Sequence, residues 1–328
     1  MSLAQLVIVI ALLSLGALVL RLRHGPPAVT DPAIKFTHAL PATLQTILFT
    51  YWSLYWPAIP AHVPVIAVQL AFAYAFELLL QWTLRRPYTP GLGPVPVVLS
   101  MNLFVWFPDI LLACLAIGLA LASKVLLLRV DGRHVFNPAV FGLSVVALLC
   151  ISLPALFPYQ DVSHDFDRPP YMAHLVFLLA LIPQVRLGIT PVAVGAAVVM
   201  FATMSFVESV IGYRGGPSPW WPAWLLAITL LAGDPATIPA TRVARLLFGF
   251  FLGVAFYIVS RALLFTTGTD FFSKIIPIAF ANLLVPAFER AGAQLSVRWP
   301  ALGNAGNRGY IATWLFFFVI TLIAAHHG

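Results

Sequence analysis

Charge is what this sequence has least of: Asp, Glu, Lys and Arg make up 9% of its 328 residues, against about 25% in a usual soluble domain. With 61% hydrophobic residues and a mean hydropathy of +0.96, that scarcity excludes an ordinary soluble domain and implies a polytopic membrane protein. Acidic residues are the scarcer sign, 11 against 18 Lys and Arg, leaving a net charge of +7. The excess reads as basic residues gathered at one membrane face rather than as a nucleic-acid surface. Cysteine is limited to Cys114 and Cys150, both inside apolar runs, so both are expected to be packing residues and not a disulfide or metal pair. No nucleophile–base constellation, metal cluster or phosphate loop is present, so a complete active site is not expected.

What is abundant is apolar run. Candidate spans, each near the roughly 20 residues a helix needs to cross a bilayer, fall at 3–20, 38–57, 62–83, 94–107, 110–128, 135–157, 172–186, 189–213, 220–233, 246–266, 273–288 and 309–326. The fourth, seventh and ninth are short, as tilted, broken or half-helices would be. Basic residues follow every second segment: Arg21, Arg23 and Lys35; Arg85 and Arg86; Lys124, Arg129 and Arg133; Arg186; Arg242 and Arg245; Arg290 and Arg298. The positive-inside rule puts that face in the cytoplasm and both termini outside. The opposite loops are poorer in Lys and Arg; Asp161, Asp165 and Asp167 lie there, with Arg168 and Arg214 as exceptions. The first segment has no basic residue before its apolar run and Arg21 and Arg23 after it, so an uncleaved anchor is expected rather than a signal peptide. The expected location is the inner (cytoplasmic) membrane.

Two polar, Pro-containing stretches interrupt the apolar pattern: Gly132 to Ala139, and Gly233 to Arg242. A break frees backbone groups that lipid cannot satisfy, so it is tolerated only against protein or a water-filled cavity, and transporter sites are often built from such breaks. Without the outermost segments, ten remain, in two sets of five; an odd number per set inverts the second in the membrane. Phe107-Pro108-Asp109 in the first set answers to Gly233-Asp234-Pro235 in the second, and Phe136-Asn137-Pro138 to Phe280-Ala281-Asn282. The expected fold is therefore an all-α integral membrane protein: a ten-helix core of two inverted five-helix repeats plus one extra helix at each end. Its parts would be an N-terminal anchor at 1–34, repeats at 35–171 and 172–292, and a C-terminal helix at 293–328.

Three blocks resemble one family, RnfD/NqrB, whose members are membrane components of the Rnf electron-transport complex and of the sodium-translocating NADH:quinone oxidoreductase. His134 to Gly142, with Phe136-Asn137-Pro138-Ala139, is similar to the family's Phe-Asn-Pro-Ala motif. Asp234-Pro235-Ala236-Thr237 through Arg245-Leu246-Leu247-Phe248-Gly249 resembles its Asp-Pro-Val-Thr block, and is the most specific of the three. Ile278 to Pro286 looks like its penultimate-to-last helix segment. The resemblance implies a fold related to urea channels, a role in membrane electron transfer with flavin, and other membrane redox subunits as partners besides the bilayer. Family members usually carry FMN on a threonine, which in the Rnf branch lies in an external loop. The corresponding loop here, about 158–171, is short and has no threonine. Gly188-Ile189-Thr190-Pro191 resembles a flavinylation motif, but Arg186 places Thr190 near the cytoplasmic face, and Gln184 stands where an aspartate is expected. No covalent FMN is expected; any flavin, FMN or riboflavin, would be non-covalent. Relatives of this kind include proteins associated with enediyne biosynthesis.

The candidate cofactor-binding residues are Asp234, Pro235, Thr237, Thr241, Arg242, Phe136, Asn137 and Asn282. Asp234 reads either as a helix cap or, with Thr237, Thr241 and Arg242, as the lining of a flavin or solute site. Asn137 and Asn282 read as partners for freed carbonyls or as ligand contacts. Glu77 and Glu208 lie inside apolar runs: Glu77 reads as an ion pair or interface residue and Glu208 as one that reaches water at the outer end of its run, with a proton or cation role the alternative for either. Trp220, Trp221 and Trp224 read as an interfacial belt. His38, His62 and His174 show no bis-histidine pattern, so haem is not expected. The leading expectation is a redox-system membrane protein, at most one part of an oxidoreductase, that binds a flavin or other redox cofactor or scaffolds a partner. The alternatives are a channel or transporter for a small solute or ion, and a structural assembly role.

Overall fold

Helices make up about 75% of the chain in the computed structural model, which describes residues 3–129, 131–212, 221–298 and 307–327. The chain divides into two compact units, residues 1–129 with 138–169, and residues 130–137 with 170–328.

The first unit holds α1 (Leu3–His24), α2 (Phe36–Ser53), α3 (Ala58–Thr83), α4 (Pro94–Asn102), α5 (Ile110–Leu126) and α6 (Pro138–Ser152). Pro94 and Pro138 open their helices, where the missing N–H is no loss. Asp109 caps α5: its carboxylate accepts the Leu111 N–H at 2.8 Å and the Gln5 side-chain amide at 2.9 Å, which ties α1 to the start of α5. The helix α5 packs against α3 and α6. Contact with α6 is close at Gly142, where a Cβ would collide with the Ala116 carbonyl oxygen. The residues after α6 fold back on the segment before α5. A two-residue strand β1 (Val105–Trp106) pairs antiparallel with β2 (Gln160–Asp161), and Phe166 is wholly buried.

The second unit holds α7 (Met172–Leu187), α8 (Thr190–Ile211), α9 (Pro222–Leu226), α10 (Arg242–Thr267), α11 (Ile276–Leu283), α12 (Val285–Arg298) and α13 (Asn307–His327). Its centre is α10 laid along α8. The backbones meet because Gly195, Gly249 and Gly253 carry no side chain there; a Cβ on Gly249 would lie 3.0 Å from the Ala196 nitrogen and also against the Val192 carbonyl oxygen. The α13 helix packs on α8, and its Phe318 stacks on Phe177 of α7 with ring centroids 3.7 Å apart.

Among the described residues, four helices are long and apolar enough to cross a membrane, Ala4–His24, Ala58–Thr83, Thr190–Val210 and Arg242–Thr267; counting one bent pair as a span makes five. The all-α membrane class expected of the sequence is thus present. Several expected spans are shorter or broken. The run 94–107 is helical only over Pro94–Asn102. The run 220–233 becomes α9 followed by one π-type turn, Ala227–Leu231. The run 273–288 is not one helix: Phe271–Leu283 and Val285–Arg298 meet at a 66° bend. Pro286 at the second position of α12 explains the break, since its ring has no N–H to continue the ladder. Arg214 and Trp220 lie outside the described residues.

Candidate functional site

In the second unit two asparagine side chains bond three backbone groups in or beside the two sequence breaks. The π-type turn ends at Leu231, and the Asn137 side-chain amide donates to the Leu231 carbonyl at 3.0 Å. The Asn282 side chain bridges in both directions. Its Oδ1 accepts the Asn137 backbone N–H at 3.1 Å, and its Nδ2 donates to the Thr237 carbonyl at 3.2 Å. Asn137 is 9% exposed and Asn282 1%, so these bonds lie in a low-dielectric interior where an unmade one is costly.

Asp234 does not start a helix, as the sequence suggested. It heads a reverse turn: its carbonyl accepts Thr237 N–H at 3.0 Å, and its carboxylate accepts Ala236 N–H at 3.1 Å. Asp followed by Pro is the composition such a turn favours, because Pro235 presets φ and the carboxylate bonds two residues on. The Thr237 hydroxyl, fully buried, donates to the Asp234 carbonyl at 3.2 Å. The helix begins eight residues later at Arg242, with Thr241 as its cap to the Ala244 N–H at 3.4 Å. Asp234, Thr237, Asn137 and Asn282 are therefore joined in one hydrogen-bonded chain. Phe136 adjoins Asn137 and is half-buried, while Pro235, Thr241 and Arg242 face outward.

Three charged residues that were not among the site candidates hold this region together. Arg245 donates to the carbonyls of Pro239 (2.8 Å), Leu187 (3.2 Å) and Gly188 (2.7 Å), pinning the C-terminal end of α7 to the turn. Gly188 ends α7 with φ +64°, the left-handed conformation a helix terminus favours. Arg133 bonds Asp131 at 2.6 Å and the Ile238 carbonyl at 3.3 Å, and lies 4.0 Å from Glu289. Glu289 accepts the Ala240 N–H at 2.5 Å. A fourth, Lys274, is 2% exposed and sits over the rings of Trp224 (5.4 Å) and Phe271 (5.5 Å). Trp224 is wholly buried and so does not belong to an interfacial belt; Trp221 is exposed.

The first unit carries a second feature the sequence concealed. Arg168 lies 5.3 Å over Trp56, Trp56 stacks on Trp106 at 5.1 Å, and Trp106 stacks on His62 at 3.9 Å. His62 bonds the Asn102 amide oxygen at 3.0 Å, and the Asn102 nitrogen donates to Gln69 at 2.5 Å. The members come from separate segments, so no local pattern announces them. Glu77 pairs with Lys124 at 3.5 Å, whereas Glu208 is exposed. Thr190 is wholly buried, and its hydroxyl donates to the Gln184 carbonyl at 3.2 Å. Cys114 and Cys150 are buried free thiols. Among the described residues, no three His, Cys, Asp or Glu side chains converge as a metal site.

Compared with known proteins, the chain matches no family model and no curated sequence.

Proposed function

We propose that this chain is a membrane component of an electron-transfer system, with the polar break of the second unit as the place where a flavin, FMN or riboflavin, is held non-covalently. One observation supports the reading above the others. The three sequence blocks that resemble the RnfD/NqrB family are far apart in the chain, yet Asn137, Leu231, Thr237, Asp234 and Asn282 are linked by consecutive hydrogen bonds. A turn with exposed Arg242, and with Arg133 and Arg245 close by, suits the phosphate or electron-rich ring of a flavin. We further propose two inverted five-helix repeats in an inner-membrane protein. Each unit repeats an order of helix, long helix, short segment and two helices: α2 to α6, and α7 to the α11–α12 pair.

A channel or transporter for a small solute or ion is the second reading. It is favoured by the 66° bend between α11 and α12 together with the π-type turn, since discontinuous helices build such pathways.

The test is purification of the tagged chain from membranes with its partners, followed by absorbance, denaturing gel and intact mass. A yellow fraction whose flavin leaves completely on denaturation is expected. Asp234→Ala should lower flavin retention while the thermal midpoint stays near wild type. Intact mass should equal the polypeptide, because the external loop has no threonine and the Thr190 hydroxyl is buried. Flavin-free protein that carries solute across liposomes would replace the first reading by the second. A stable complex with neither property would leave an assembly role.

A further inference from the structure

At the C-terminal ends of α1 and α3 the first unit carries a cleft of about 460 Å³, lined by Arg23, His24, Trp82, Arg85 and Arg86 among others. The cleft is built, not incidental. The segment after α1 pairs with the segment after α3: Tyr88 N–H donates to the Ala28 carbonyl (2.8 Å), Thr30 N–H to the Tyr88 carbonyl (2.9 Å) and Ala33 N–H to the Pro90 carbonyl (2.8 Å). The Thr30 and Thr89 hydroxyls add a bond of 2.7 Å. Arg85 holds φ +54°, a left-handed conformation strained for a residue with a Cβ, and the chain turns there so that α3 ends at the cleft.

These cations are not neutralised within the cleft. Among the described residues, the side chains of Arg23, His24, Arg85 and Arg86 have no ion-pair or hydrogen-bond partner, and neither has the Trp82 indole N–H, although Trp82 is buried. Three guanidiniums around one cleft repel one another unless an anion joins them, and phosphate is the anion whose oxygens fit guanidinium forks. The two helix ends offer only the partial negative charge of their last carbonyls, too little to offset three full cations. Burial first, then the charge of Glu77 and the neighbouring Tyr74, pushes the Tyr88 phenol up to about 12, so Tyr88 adds no negative charge either.

Position separates a lipid from a free ion. Both α1 and α3 are long and apolar enough to cross a membrane, and only 6% of the apolar window of α1 is buried within the protein. Leu18 and Leu22 on α1 are exposed just before the cleft. A phosphate in the cleft thus sits at headgroup level with an open apolar helix beside it for acyl chains. We propose that this cleft binds the phosphate of an anionic phospholipid headgroup. This inference rests on the membrane class alone and is independent of the electron-transfer reading.

The experiment is native mass spectrometry of the whole protein released from nanodiscs of phosphatidylcholine with or without phosphatidylglycerol, repeated with inorganic phosphate as a soluble competitor. Retention of phosphatidylglycerol over phosphatidylcholine is expected. Each arginine removed should weaken it about fivefold, so Arg85→Gln with Arg86→Gln should weaken it roughly 25-fold. Arg298→Gln, which removes an equal charge at the end of α12, should leave retention unchanged. If the double variant fails to fold, Arg23→Gln on the other helix gives the single-arginine arm. Equal retention of both lipids, or no loss in any cleft variant, would overturn the proposal. Displacement of lipid by millimolar inorganic phosphate, with phosphate itself retained, would assign the cleft to a free anion and equally overturn it.

Discussion

Asn282→Leu is expected to destabilise the protein by about 2–6 kcal/mol, because it removes a side-chain hydrogen bond from each of two buried backbone groups, at about 1–3 kcal/mol each. The groups are the Asn137 N–H and the Thr237 carbonyl, both bonded to the Asn282 side chain. Hydrogen bonds between membrane helices average only about 0.6 kcal/mol when measured by side-chain exchange. That lower figure applies where the bereft group finds another partner. Here both groups belong to breaks in the helical ladder, and Asn282 itself is 1% exposed, so the two bonds lie where lipid and bulk water offer no substitute. Thermal unfolding in detergent, followed by tryptophan fluorescence, measures the effect. Asn137→Leu should act in the same direction and, since the two residues share a bond, the double variant should lose less than the sum. A midpoint unchanged in Asn282→Leu would mean the two amides serve something other than the broken backbone.

The other large effect is expected at Gly249. A Cβ there would meet the Val192 carbonyl and lie 3.0 Å from the Ala196 nitrogen and 3.1 Å from the Gly195 Cα, so the obstacle is backbone and not a side chain that can swing away. Gly249→Ala must push α8 and α10 apart, at the roughly 1–3 kcal/mol typical of overpacking. Gly249→Leu should abolish the monodisperse protein altogether, since the α8–α10 contact is the centre of the second unit. Gly309→Ala is the control: nothing lies within 4 Å of its Cβ position, and its effect should stay within about 0.5 kcal/mol. Expression yield and size-exclusion profile in detergent distinguish them. A Gly249→Leu protein as well behaved as Gly309→Ala would show that the two helices do not pack at this register.

Sequence alone determined the class and much of the punctuation of this chain. Mean hydropathy and the scarcity of charge are sums over residues, and they require a membrane protein whatever the packing. Prolines at 94, 138, 191 and 222 mark helix starts because a pyrrolidine ring acts on its own backbone, and the shortness of the fourth and ninth apolar runs is visible in the chain itself. The two polar breaks could likewise be seen, together with the need for partners to their backbone groups. Only the tertiary structure decided which partners. A local pattern at Asp234 suits a helix cap and a reverse turn equally; in the fold it is a turn, and Asn282, 48 positions later, takes the Thr237 carbonyl. Trp224 looked interfacial beside Trp221, but burial is set by what lies across from a residue: Phe256 packs against its ring and Lys274 lies over it. The Arg168–Trp56–Trp106–His62 stack and the basic cleft between α1 and α3 are likewise products of long-range pairing. Hydropathy adds along the chain, whereas a site depends on which distant side chains meet, and that is chosen by helix packing.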